Sequence, residues 1–152
     1  MKELTQFLIL LLITRITNGQ YNYDSDLESI SIQTPEEFSQ ILNICRPFQM
    51  YTYISAEHIQ LSVIPNYAFT NLSVYQLSLM HNQIENISNL FLVGIVYVEE
   101  LFLSWNRIAS IDDFIETAEV KSLLCLGLNN NQIRSLNRKF GTGLKNLERL
   151  YL

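Results

Sequence analysis

The chain has 152 residues, a formal net charge of −5 and a sequence pI near 4.9; 48% of its residues are apolar and only 16% are charged. This length predicts one domain. Leu and Ile together supply 41 residues, which excludes intrinsic disorder, and the excess of 15 acidic over 10 basic residues excludes the basic footprint of a nucleic-acid-binding protein. Two Cys are too few for a disulfide-dense scaffold.

The first 19 residues have the organisation of a secretory signal peptide. A short charged start precedes an unbroken apolar run at residues 7–13, and the small residues Thr17 and Gly19 suit a cut before Gln20. The run is shorter than the about 20 apolar residues of a membrane span. Residues 1–19 are therefore interpreted as a signal peptide, with a buried N-terminal helix or an uncleaved signal anchor as alternatives.

Two Asn-X-Ser sequons, at Asn71 and Asn86, are the predicted glycosylation sites. Together with the signal peptide they predict a secreted, extracellular glycoprotein. The alternative is a cytosolic protein whose sequons stay unmodified.

Residues 20–50 form an acidic lead followed by a predicted helix. Residues 20–31 are expected to be loose, because acidic residues and two Tyr occur there without periodicity. Thr34, Pro35 and Glu37 then have the pattern of a helix N-terminus, with Thr34 as N-cap and Glu37 completing a capping box. We expect this short helix to cover the edge of the first strand of the following domain.

From residue 51 onward the chain repeats itself with a period of 24 and then 25 residues. The pattern is apolar-x-x-Leu-x-Leu-x-x-Asn-x-Ile, in VYQLSLMHNQI from Val74, VEELFLSWNRI from Val98 and LLCLGLNNNQI from Leu123. A looser copy starts at Tyr51, with Ile59 where Asn is expected, and a further copy begins at residue 147.

This repeat resembles the extracellular leucine-rich repeat family over residues 51–152, and IPNYAFTNL at residues 64–72 resembles a segment common in its secreted members. The resemblance implies an α/β-type solenoid: a horseshoe with a parallel sheet on its concave side, a short helical N-terminal cap and about 4.5 repeats. It also implies a recognition module of the kind found in innate immunity and in cell-surface receptors.

The residues themselves agree with stacked turns. Alternating Leu predict strands with one buried face, which a single turn of this length cannot bury alone. Asn82, Asn106 and Asn131 recur at one phase, where a buried side-chain amide pairs with backbone groups of neighbouring turns. We therefore interpret these three as a structural ladder. Phe69, Phe91, Phe114 and Phe140 recur in the second half of each turn and predict a stacked spine.

A binding surface is predicted on the concave face, where outward residues alternate with buried Leu. Exposed aromatic side chains on a sheet indicate contact with a partner, although Trp105 could instead fold over its own turn. The predicted partner-binding residues are Ser78, Met80, His81, Phe102, Ser104, Trp105, Asn129 and Tyr151.

No catalytic, metal-binding or cofactor-binding motif occurs in the sequence, so a non-catalytic role without cofactors is expected. The predicted partner is a protein, a glycan or a lipid ligand, and not a nucleic acid. Membrane association is expected only if the chain belongs to a longer receptor. The alternative function is therefore the N-terminal fragment of a larger leucine-rich repeat receptor or adhesion protein, in which the ligand site lies elsewhere.

The two cysteines are predicted not to bond to each other. Cys45 and Cys125 lie about three strands apart, or roughly 14 Å at the spacing of a sheet, which exceeds the reach of a disulfide. Two reduced thiols, or a disulfide in a homo- or hetero-dimer, remain the alternatives. The apolar stretch ending at Leu152 predicts an open strand edge, which is expected of a fragment or of an end that a partner covers.

Overall fold

The computed structural model describes residues 28–44, 49–88, 90–111, 120–136 and 140–152. Over these residues the chain is a parallel-sheet β-solenoid of about four turns. The predicted signal peptide, Cys45 and Phe114 lie outside the described residues.

Six parallel strands form one sheet in chain order, and each strand pairs with the next. The strands are β1 (Glu28–Ser31), β2 (Met50–Ser55), β3 (Ser73–Ser78), β4 (Tyr97–Phe102), β5 (Cys125–Gly127) and β6 (Arg149–Tyr151). One helix, α1 (Pro35–Ile44), connects β1 to β2. No helix in the described part of the chain is long and apolar enough to cross a membrane.

The strand register stacks equivalent apolar residues into buried columns. Ile54 pairs with Leu77, Leu77 with Leu101, Leu101 with Leu126, and Leu126 with Leu150. The three central leucines are fully buried, whereas Leu150 on the outermost strand is 36% exposed. Each turn therefore buries its apolar face against its neighbours, as the alternating pattern predicts.

The recurring asparagines join successive turns through hydrogen bonds to the backbone. The Oδ1 atoms of Asn82, Asn106 and Asn131 accept bonds from the N–H groups of Leu61, Ile84 and Ile108 in the preceding turn, at 3.0 Å in each case. Their Nδ2 groups donate to carbonyls of their own and the preceding turn. No buried side-chain nitrogen or oxygen among the described residues lacks a partner.

Phenylalanine rings stack along one side of the solenoid. Phe38 packs edge-on against Phe69 with ring centroids 5.9 Å apart, and Phe69 packs in the same way against Phe91 at 6.1 Å. All three rings are buried, and Phe140 is partly buried against the same core. The helix thus adds Phe38 to the rings that the repeat predicts.

The N-terminal region differs from the sequence prediction in two respects. The expected loose lead ends in a strand, β1, which pairs with β2, so the edge of β2 is covered by β1 rather than by the helix. Thr34 caps the helix as predicted, because its Oγ1 accepts a bond from the Glu37 N–H at 3.1 Å. The Glu37 carboxylate accepts a hydrogen bond from the Gln33 N–H at 2.8 Å. A capping box would use the N–H of the N-cap residue, Thr34, which is one residue later.

Candidate functional site

The outward side chains of the sheet form two rows across the strands, which together we call the outer sheet face. The first row is Tyr53, Gln76, Glu100, Cys125 and Arg149. The second row is Ser55, Ser78, Phe102, Gly127 and Tyr151. The alternation continues past the strand ends to Glu57, Met80, Ser104 and Asn129. This face corresponds to the surface that the sequence predicts to be concave.

Two predicted contact residues on this face are buried. Ser78 and Ser104 are each 1% exposed, whereas outward alternation predicts accessible hydroxyls. Longer side chains bond to them: the Ser78 hydroxyl donates to Glu57, and the Ser104 hydroxyl donates to Asn129 Oδ1 at 2.6 Å. Ser78 and Ser104 therefore orient their neighbours and are not themselves accessible to a partner.

Phe102 is partly buried because it lies across the neighbouring strand. A Cβ atom at Gly127 would be 2.7 Å from Phe102 Cδ1, closer than real side-chain contacts allow. Gly127 therefore makes room for the phenyl ring. Phe102 presents part of its ring to solvent, and Tyr151 on β6 is 49% exposed.

Three rings stack just beyond the strand ends, and we call them the aromatic row: His58, His81 and Trp105. The imidazoles of His58 and His81 are parallel, with centroids 4.3 Å apart, and His81 stacks on the indole of Trp105 at 5.4 Å. Trp105 nevertheless stays 50% exposed. The indole thus packs on the preceding turn rather than over its own turn, and it still offers a large accessible surface.

The backbone of the aromatic row is left-handed. The φ angles are +58° at His58, +56° at His81 and +59° at Trp105, and Asn130 in the next turn has +59°. His and Asn tolerate this conformation, whereas a bulky residue such as Trp pays a steric cost there. An indole at this position is therefore not explained by local backbone preference.

A single ion pair crosses the outer sheet face among the described residues. Arg149 donates to Glu100 Oε1 at 2.7 Å. Cys125 lies between these two residues in the row and carries a free, buried thiol. Burial raises the pKa of this thiol, which keeps it protonated.

A second polar group contains Glu99 and two tyrosines. The Tyr97 hydroxyl donates to Glu99, and this hydrogen bond raises the pKa of Tyr97 to about 12. The charge of Glu99 also raises the pKa of Tyr75, which additionally senses Glu100 and Arg149. Glu99 and its tyrosines therefore lie beside the Glu100–Arg149 pair.

The remaining predicted partner-binding and glycosylation residues are at least partly accessible to solvent. Met80, His81 and Asn129 are half-buried, and the sequon residues Asn71 and Asn86 are exposed outside the outer sheet face.

An open pocket of about 420 Å³ lies beside Asn86 and is lined also by Val63 and Pro65. No group of three His, Cys, Asp or Glu in the described ranges is arranged to hold a metal ion.

His58 and Glu57 are not among the site residues that the sequence predicts. The first turn matches the repeat only loosely, because Ile59 replaces the recurring Asn. The looser copy that starts at Tyr51 already places His58 in line with His81 and Trp105, and Glu57 in line with Met80, so the repeat itself contains the signal.

The chain matches no protein-family model and has no significant similarity to a curated protein. Membership of the leucine-rich repeat family therefore stays a prediction from the repeat pattern.

Proposed function

We propose that the chain is an extracellular leucine-rich repeat module that binds a macromolecular partner through the outer sheet face, without catalysis. The repeat pattern, the parallel solenoid and the asparagine bonds between turns support the family assignment. A role in immune or cell-surface recognition agrees with this assignment. Because one fold serves many functions, the binding role has to rest on the surface itself.

The half-exposed indole of Trp105 carries the proposal. Trp105 is held in place by stacking on His81 and occupies a left-handed backbone position that disfavours a bulky residue. Large, fixed aromatic side chains supply much of the binding energy of protein interfaces. A costly, exposed and oriented Trp is therefore better explained by contact with a partner than by the stability of the solenoid.

The size of the surface indicates how a partner would bind. Six strands at about 4.8 Å spacing span about 24 Å, and a six-residue strand is about 20 Å long. The resulting area of about 480 Å² is smaller than the about 800 Å² that each partner contributes to a standard interface. The aromatic row adds surface next to the strands, so the partner is expected to contact both.

We expect Phe102→Ala with Trp105→Ala to weaken binding of the partner at least tenfold while leaving the far-ultraviolet circular dichroism unchanged. The partner is first isolated from extracellular fluid on the immobilised wild-type chain, and affinities are then measured by calorimetry. Val63→Ala is the matched control, because Val63 is 65% exposed and lies away from the outer sheet face. Equal affinities for the double variant and the control would refute binding through this face.

For the extracellular location, we expect the chain to be secreted by eukaryotic cells with glycans on Asn71 and Asn86. The mass of the secreted chain should fall on treatment with peptide N-glycosidase, and Asn71→Gln and Asn86→Gln should each remove one glycan. Asn66→Gln, at an exposed Asn outside a sequon, should leave the mass shift unchanged. Retention inside the cell without glycans would contradict the proposed location.

A further inference from the structure

The outer sheet face and its margin carry more negative charge than their own cations neutralise. Glu100 is paired with Arg149, but no cationic side chain of the described residues lies within 4.0 Å of the carboxylates of Glu57 or Glu99. Among the residues that the structure describes, both of these carboxylates receive hydrogen bonds from neutral hydroxyl groups only. Two fixed negative charges thus remain available to an external cation.

Tyrosine hydroxyls orient both carboxylates. The Tyr53 hydroxyl donates to Glu57 Oε1 at 3.0 Å, and the Tyr97 hydroxyl donates to Glu99. A carboxylate that is already oriented loses little conformational entropy when a cation binds. The hydrogen bond to Glu99 raises the pKa of Tyr97, and the charge of Glu99 raises the pKa of Tyr75, so both phenols stay neutral.

Aromatic rings lie next to these charges. Tyr75 is 41% exposed beside Glu99, and the partly exposed Tyr53 bonds to Glu57 through its hydroxyl. Cations bind favourably over the faces of aromatic rings, and Arg and Lys pair well with carboxylates. The combination of carboxylate and aromatic ring at both places suits guanidinium or ammonium groups.

We propose that the occupant of the outer sheet face is an extended basic peptide segment of a partner protein, whose Arg or Lys side chains bind at Glu57 on that face and at Glu99 on its margin. This inference rests on the proposed function and specifies its partner. The register puts Glu57 two strands and five residues away from Glu99, about 19 Å at ordinary sheet spacings. An extended segment covers that distance in about six residues.

The test uses the full chain and two fluorescein-labelled peptides of ten residues, one alternating Arg with Ser and one alternating Glu with Ser. We expect anisotropy titration at low salt to show binding of the Arg peptide, at least tenfold weaker binding at 300 mM NaCl, and no binding of the Glu peptide. Absence of binding by the Arg peptide, or equal binding of both peptides, would overturn the inference.

Two double variants with the same change in net charge test whether the Arg peptide binds at Glu57 and Glu99. Glu57→Gln with Glu99→Gln should weaken binding of the Arg peptide at least tenfold, because the amide oxygen still accepts the phenol bonds but the charge is lost. Glu36→Gln with Glu85→Gln changes the net charge equally at exposed sites elsewhere and should weaken it less than twofold. Equal losses of affinity in the two double variants would mean that the net charge alone attracts the peptide, and would refute binding at Glu57 and Glu99. If the partner depends on Phe102 and Trp105 but not on Glu57 and Glu99, the proposed function stands and the basic segment is wrong.

Discussion

Asn106→Ala is expected to lower the free energy of unfolding by about 3 kcal/mol, as expected when a buried donor loses its partner and a small cavity forms. Asn106 is 8% exposed; its Oδ1 accepts the Ile84 N–H, and its Nδ2 donates to the carbonyls of Leu79 and Leu103, each at 3.0 Å. The alanine methyl group replaces none of these bonds. Urea unfolding followed by circular dichroism measures the loss.

The neighbouring asparagines limit the loss in free energy of unfolding, because they still bond to carbonyls that Asn106 would leave. The Leu79 carbonyl also accepts a bond from Asn82, and the Leu103 carbonyl also accepts one from Asn131, so both carbonyls keep a partner. The Ile84 N–H is the group that is left without its acceptor. This is why we expect about 3 kcal/mol rather than the sum of three separate bonds.

Asn66→Ala provides the control, because Asn66 is exposed and forms no side-chain hydrogen bond with the described residues. Its effect should stay within about 0.5 kcal/mol. A loss below 1 kcal/mol for Asn106→Ala would contradict the interpretation that the asparagines join the turns.

The asparagine phase and the leucine columns could be predicted because both depend on the repeat alone. Every copy must bury the same side of its strand, so a shift of one residue would expose Leu77 or Leu101 to water. The stacking of these leucines in register confirms this part of the prediction. It follows from periodicity without knowledge of any long-range contact.

Features that depend on a neighbouring turn were less accessible to sequence reasoning. Alternation predicts that Ser78 and Ser104 point outward, but it does not reveal that Glu57 and Asn129 bend over them. Strand β1, with the sequence ESIS, has too short an alternation to be told from a loop and pairs only because β2 offers an unpaired edge. Both differences depend on contacts between elements, which the pattern within a single element does not reveal.

Phe69→Ala is expected to cost about 3–5 kcal/mol, the largest single effect, because it removes a ring shared by the helix and two turns. Phe69 is 1% exposed and packs edge-on against both Phe38 on α1 and Phe91 in the next turn. Edge-to-face pairs add about 0.5–1.5 kcal/mol each beyond the buried area. The cavity would lie where the helix meets the solenoid, so both would lose support.

Two measurements separate this role from that of an ordinary core residue. Phe69→Leu fills most of the volume without a ring, and should cost about 1–2 kcal/mol because mainly the aromatic contacts are lost. Hydrogen exchange of Phe69→Ala should show faster exchange in Pro35–Ile44 than in the strand Tyr97–Phe102, since Phe38 on the helix packs directly on this ring. Uniform acceleration along the chain would instead mean that Phe69 contributes only to the global stability of the stacked turns, and that the helix does not depend on the phenylalanine stack.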